Sequence, residues 1–476
     1  MNPNPDSPAA PLQASPAAQR ARSVGDQSVS LFLPCAPGAE ALLADELRQL
    51  LGVEVPLQID RGGVQVMGDA VIAMRLNLES RLAQRVLWPL AHGPYENEHD
   101  LYALARSVPW GDWISTAQTF RIDTTAQRSP LQSLNFATLR VKDAVCDVMR
   151  DLTGERPSID TRFPDLPLTL HLSPSHATLY ADTSGEALFK RGWRDAQGLK
   201  GEAPLKETLA AAMLAAAGWQ GRAQDGPLFD PCCGAGTIVI EAAQIACGIA
   251  PGLQRKFAFE RLLPFRSHQN AWSRLKDAAR ARQHAPAVTI FAGDVSFRMI
   301  DFAQRNAERA GVAKAISFKT ADALQRGPPV EAATTPGAAV GVMMINPPYG
   351  ERIAPQGSLG GGPRGDHRAN PVSFQAAQQP RGGQSSREGF EGGASANEFF
   401  SQLASHWKRH YPGWTAWMLS PDPKLPQALR LKESRRVPMW NGAIECRLFR
   451  FDLVAGSARA PKPADPTSPA DAPAPA

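Results

Sequence analysis

The chain has 476 residues, 43% of them hydrophobic, long enough for two or three domains with real apolar cores. Its net charge of +5 is mildly basic, which permits nucleic acid as a partner without demanding it. Six cysteines in so long a chain, Cys232 and Cys233 adjacent, argue against a disulfide framework and read as reduced thiols of a cytoplasmic protein.

In chain order, residues 1–28 hold almost no large apolar groups and are predicted to be disordered, with no signal-peptide core. Order is expected from Val29, with a strand VSLFLP and a helix over 39–51 carrying Leu43, Leu47 and Leu50 on one face. A strand through Val64 and Val66, a helix over 70–78 and an Arg-bearing strand SRLAQRVLWPL complete a small α+β module over 29–95. A second module, 96–184, opens with a short helix over 101–107 and a strand over 119–124 with Phe120 and Ile122 inward. Ser133 caps the next helix, whose apolar face is Ala137, Val141, Ala144, Val145, Val148 and Leu152, and Gly154 ends it. Leu168, Leu170 and Leu172, then Ala177, Leu179 and Ala181, alternate in two strands joined at Ser173-Pro174-Ser175 as a hairpin.

Phe189-Lys190-Arg191-Gly192-Trp193-Arg194 packs three cations and two aromatics into six residues at a domain junction. Lys190, Arg191, Trp193 and Arg194 could grip phosphates and stack on a base, or be the solvated side chains of a hinge. From 228 to 455 strands alternate with helices, the mark of a parallel α/β sheet. Strands are expected at Leu228–Asp230, 288–294, 316–321, 340–345, 414–419 and 443–453. Asp230, Asp294, Asp322 and Asn346 stand at their carboxyl ends, where ligands of such sheets bind. Residues 355–394 form a low-complexity insertion, a surface loop or a holder of RNA through its arginines. Residues 456–476 read as a disordered tail. No apolar run reaches membrane length, and His406 and His410 have no acid between them, so neither membrane nor metal is expected.

Two stretches carry chemistry. In LFDPCCGAGT, Gly234 and Gly236 let backbone approach a ligand closely. No Gly-Lys-Ser/Thr follows, so the loop is not a P-loop, and the third glycine of the dinucleotide fingerprint is missing. Asp230 at its mouth would repel phosphate and suits a cationic ligand; S-adenosylmethionine carries an ammonium and a sulfonium. In VMMINPPYGER, Pro347 and Pro348 remove two N–H donors and leave carbonyls facing a cavity. The Asn346 side-chain oxygen and the Pro347 carbonyl could accept both hydrogens of an exocyclic amino group, with Tyr349 stacked on a base that has left its own stack.

The combination FDPCCGAGT and NPPYGER resembles the class I S-adenosylmethionine-dependent methyltransferases of exocyclic amino groups. LFKRGWR, PLKETLAAAMLAAAGW and LLPFRSHQNAWSRLKDAAR look like the bacterial large-subunit (23S) ribosomal RNA guanine-N2 methyltransferases. The resemblance spans roughly 30–455 and implies a ferredoxin-like segment over 29–95, a THUMP domain over 96–184 and a seven-stranded Rossmann-like domain over 185–455. It implies S-adenosylmethionine held by Asp230, Pro231, Gly234, Gly236 and Thr237, its ribose by Asp294 and its adenine by Asp322. Asn346, Pro347, Pro348 and Tyr349 would be catalytic and ribosomal RNA the partner. Many relatives have Asp-x-Asp after the second strand, whereas Gly293-Asp294-Val295-Ser296 keeps one carboxylate. Some relatives carry a second methyltransferase domain, which is not expected behind residue 455 here. Asn-Pro-Pro-Tyr also serves DNA adenine and protein glutamine methyltransferases; transfer RNA and a non-catalytic ribosome assembly role remain the alternatives.

Overall fold

The computed structural model describes residues 16–194, 205–329, 340–347 and 394–454. Helix α1 (Pro16–Asp26) leads into β1 (Val29–Pro34), α2 (Glu40–Leu51), β2 (Leu57–Asp60), β3 (Gly63–Gly68), α3 (Ala70–Glu79) and β4 (Leu87–Pro94). Then come α4 (Glu98–Arg106), β5 (Thr119–Ala126), α5 (Leu134–Thr153), β6 (Ser158–Ile159), β7 (Leu166–Leu172) and β8 (His176–Asp182). Among the described residues these strands form one eight-stranded sheet, ordered β2-β3-β1-β4-β8-β7-β5-β6.

The expected strand–helix–strand–strand–helix–strand module is present, but it is not a separate body. Strand β4 pairs with β1 at Phe32↔Leu87 and with β8 from Leu87↔Asp182 to Pro94↔His176. One sheet therefore runs through both modules. Leu31, Leu33, Val64 and Val66 bury one face of the first half, and Leu168, Leu170, Leu172 and Leu179 the same face of the second. Ser133 caps α5 through the Phe136 N–H at 3.2 Å, and Gly154 ends it at φ 81°. Of that helix's expected apolar face, Leu152 is exposed.

Two expectations fail here. Residues 16–26, expected to be disordered, form α1; Ala21 is buried, and Gly25 lies so close to Pro264 that a Cβ would sit 2.3 Å from its carbonyl oxygen. The first half of SRLAQRVLWPL is not strand. Arg81 bonds to Glu241 and the Ile249 carbonyl, and Arg85 to Asp182 at the end of β8 and to the Gly185 carbonyl.

The second unit begins with α6 (Glu207–Ala217), β9 (Leu228–Asp230), α7 (Thr237–Ala246) and α8 (Gln269–Ala281). It continues through β10 (Ile290–Asp294), α9 (Phe297–Arg309), β11 (Ile316–Thr320), β12 (Val342–Ile345) and α10 (Ala394–His410). It ends with β13 (Thr415–Ser420), α11 (Leu425–Leu429), β14 (Arg435–Asn441) and β15 (Ile444–Asp452). These strands make a seven-stranded sheet, ordered β11-β10-β9-β12-β13-β15-β14, parallel except for β15, which runs antiparallel to both neighbours. Side chains alternate between two cores: Leu228, Met344 and Trp417 face α6 and α7, while Phe229, Met343 and Met418 face α10. Both faces are covered, so the strands read as continuous apolar runs. Strand β14 escaped the sequence reading because Pro438 and two arginines interrupt it; as an edge strand it tolerates all three.

Arg255 joins the two units. Its guanidinium donates to the carbonyls of Ala187 (2.8 Å), Lys190 (3.2 Å), Glu186 (2.6 Å) and Ser184 (3.3 Å), and burial lowers its pKa to about 10.

Candidate active site

The loop after β9 is built around two left-handed glycines. Gly236, at φ 82°, starts α7 where a Cβ would stand 3.0 Å from the Ala303 Cβ. Gly234, at φ 50°, faces open space: apart from its chain neighbours, no atom of the described residues lies within 4 Å of where its Cβ would be. Residues 233–235 are tied to their surroundings. Cys233 donates its N–H to the Gly293 carbonyl (2.8 Å), Gly234 donates to Asp294 Oδ2 (3.0 Å), and the Ala235 carbonyl accepts from Asn306 Nδ2 (2.9 Å). Pro231 and Thr237 are buried beside it.

The sheet order then assembles the rim. Asp322 follows β11, Asp294 ends β10, Asp230 ends β9 and Asn346 follows β12, and these four strands are consecutive neighbours. Register places Phe229 beside Met343, so Asn346 stands two residues further along the strand direction than Asp230, roughly 7 Å beyond it. Residues scattered over a long stretch of sequence thus line one edge in spatial order. Pro347 is buried; Pro348 and Tyr349 lie outside the described residues.

The rim is electrostatically uncomfortable by itself. Asp230 is 1% exposed, accepts the Cys232 N–H at 3.0 Å and has no basic partner among the described residues. Burial, with Asp294 nearby, raises its pKa well above the carboxylate range. Burial also raises Asp294, against the hydrogen bonds from Ser296 and Gly234 that favour its anion. Burial and the same carboxylates push the Cys232 and Cys233 thiols up, which disfavours their thiolate forms. Asp322 accepts the Leu324 N–H at 2.9 Å and holds the turn after β11.

Comparison with known proteins concerns the chain as a whole. Residues 30–87 match the RlmL ferredoxin-like domain, 95–182 the THUMP domain and 191–360 the RMKL-like methyltransferase domain. Two proteins named ribosomal RNA large subunit methyltransferase K/L align along the chain. That of Syntrophotalea carbinolica is 35% identical over 90% of this chain and 54% of its own length. That of Shewanella baltica OS195 is 34% identical over 91% and 55%. In order along its length, the chain is thus similar to a ferredoxin-like domain, a THUMP domain and a methyltransferase domain. It spans about half the length of the curated relatives it matches. Among solved structures, SMU.472 in complex with SAH superposes with a TM-score of 0.71 at 23% identity, covering 90% of this chain and 98% of that one. TrmN from Thermus thermophilus gives 0.57 at 19%, covering 89% and 99%; at such identities the likeness concerns the fold alone.

The junction residues do not form the phosphate grip expected of them. Arg191 is buried, its guanidinium on Glu241 Oε1 (3.0 Å) and the carbonyls of Leu188 (2.9 Å) and Arg81 (2.7 Å). Trp193 is buried as well. Arg194 is bound to Glu207, to the Leu205 carbonyl (3.0 Å) and to Thr237 Oγ1 (2.7 Å). Only Lys190 is exposed, on Glu186 at 2.7 Å. Nor are they a solvated hinge: a cationic segment meets buried acids of α6 and α7, which no local pattern announces. Glu241, 0% exposed between Arg81 and Arg191, was missed for the same reason, since a lone acid in an apolar helix gives no hint of two arginines from elsewhere. Asn306 and Arg309 were missed as ordinary polar positions of α9.

Among the described residues no group of three or more His, Cys, Asp or Glu side chains could hold a metal ion, and no helix is long and apolar enough to cross a membrane. His406 Nε2 is taken by the Arg326 carbonyl at 2.7 Å.

Proposed function

We propose that the protein transfers a methyl group from S-adenosylmethionine to the exocyclic N2 amino group of a guanine in large-subunit (23S) ribosomal RNA, acting in the cytoplasm. The observation that carries this reading is the adjacency of β9 and β12, which sets the Asp230 loop beside Asn346-Pro347. The residues present fit a cationic cofactor: a buried carboxylate without a basic partner among the described residues gains from a positive ligand, and the open side of Gly234 leaves room for one.

When bound, S-adenosylmethionine supplies an electrophilic methyl, the C–S bond electrons leaving with sulfur. Asp230 and the loop backbone hold the methionine part, Asp294 the ribose hydroxyls and Asp322 the adenine amino group. Asp294 has a second duty, since it anchors the Gly234 N–H. Asn346 and the Pro347 carbonyl accept the two amino hydrogens and draw the nitrogen lone pair out of the ring, and the nitrogen's proton is lost to solvent after transfer. Tyr349 stacks on the extruded base. The THUMP match and the curated names support RNA as the substrate class.

Asn346→Ala should bind cofactor and RNA yet turn over about 100-fold more slowly. The bond it loses strengthens as the nitrogen pyramidalises, and such a loss costs roughly 3 kcal/mol. Single-turnover rates at saturating RNA measure this; more than about a third of the wild-type rate would make Asn346 structural. Nucleoside mass spectrometry of ribosomal RNA from a deletion strain tests the substrate. A 23S N2-methylguanosine should vanish and return with the wild-type gene. An intact ribosomal profile with a lost transfer RNA mark would move the activity to transfer RNA.

A further inference from the structure

Helix α9 presents three residues at i, i+3 and i+6 to the glycine loop and the domain junction. Ala303 lies under Gly236. Asn306, fully buried, donates from Nδ2 to the Ala235 carbonyl at 2.9 Å and accepts at Oδ1 from Arg309 at 2.5 Å. Arg309 donates from Nε to the Trp193 carbonyl at 2.8 Å. The amide orientation of Asn306 is fixed by its partners, since a carbonyl can only accept and a guanidinium only donate. A continuous chain of hydrogen bonds therefore runs from the junction, through Arg309 and Asn306, to the middle of the loop. On the loop's other side Arg194 reaches Thr237 Oγ1 at 2.7 Å. Consecutive junction residues thus hold the glycine loop at its middle and at its C-terminal end.

We infer that Asn306 and Arg309 are positioning residues that tie the cofactor loop to the junction below the RNA-binding modules, so that junction geometry sets cofactor affinity. This rests on the reading of that loop as the S-adenosylmethionine site. By linkage, whatever orders the junction on RNA engagement favours the cofactor, and the cofactor favours RNA by the same factor.

The test uses the full chain and two substitutions. Asn306→Asp keeps the acceptor for Arg309 but cannot donate to Ala235. Arg309→Met, at an exposed position, keeps the aliphatic stem and removes the guanidinium. Calorimetry with S-adenosylhomocysteine should show affinity lowered about tenfold for Asn306→Asp and about threefold for Arg309→Met, as expected for one hydrogen bond each. Hydrogen exchange of the ligand-free proteins should show residues 231–237 exchanging at least about threefold faster in both, with α5 unchanged. Arg309→Lys should restore part of the affinity. If Asn306→Asp does not fold, Arg309→Met decides. A wild type that binds with unchanged affinity and exchange in the variants overturns the relay and leaves the cofactor reading standing. A wild type that does not bind S-adenosylhomocysteine overturns both.

Discussion

Asp230→Asn should make the ligand-free protein more stable and weaken cofactor binding at least about tenfold. The carboxylate is 1% exposed, accepts the Cys232 N–H and has Asp294 nearby. Asparagine has the same shape and keeps Oδ1 for Cys232, so the change removes a buried charge and little else. Relief of such a functional-site cost is worth about 0.5–2 kcal/mol, or about 1–4 °C in melting temperature. The pH dependence has a definite sign. Burial raises the folded-state pKa of Asp230 above the unfolded value. Between the two values the folded protein holds a proton that the unfolded chain has released, so stability falls as pH rises through that window. The advantage of the substitution is therefore absent below the ordinary carboxylate range, grows with pH and levels off above the raised pKa. The cofactor's positive charge works in the opposite sense, and losing a charged acceptor should cost roughly 1.5–3 kcal/mol of binding. Thermal melts of the ligand-free proteins from pH 4 to 8, with calorimetry against S-adenosylhomocysteine, measure both. An unchanged or lowered melting temperature at pH 8, together with wild-type affinity, would refute the account of Asp230.

Asp294→Ala should weaken S-adenosylmethionine binding by roughly 1–3 kcal/mol, and Asp294→Asn by less, because it keeps an acceptor for Gly234; calorimetry separates them. Glu241→Ala leaves the guanidiniums of Arg81 and Arg191 without their buried counter-ion and should cost about 3–5 kcal/mol in denaturant melts, with Glu241→Gln milder. Lys190→Ala should reduce the slope of log affinity for structured RNA against log salt by about one, whereas Arg191→Ala should leave the slope unchanged and lower stability.

Local pattern was sufficient wherever one segment carried its own signal. The alternation of Leu168, Leu170 and Leu172, the cap at Ser133 and the stop at Gly154 each depend on a few neighbouring residues, and each stands as read. Helix α1 was misread because its few apolar groups matter only once the turn at Pro264 is there to receive them. Strand β14 was missed because its legitimacy depends on lying at an edge.

The sequence by itself determined which polar residues stand at the rim. Asp230, Asp294, Asp322 and Asn346 are placed at strand ends by hydrophobic runs that stop there, and parallel topology sends all such ends to one edge. Only the tertiary structure decided what the cations of the junction do. Arg191 and Arg194 look like phosphate ligands in a linear reading, yet their partners are Glu241, Glu207 and Thr237, up to 50 residues away. A charged side chain carries no mark of whether it will meet solvent, nucleic acid or a buried acid. That choice belongs to the packing of two domains, where a desolvated guanidinium must find its counter-charge within the protein.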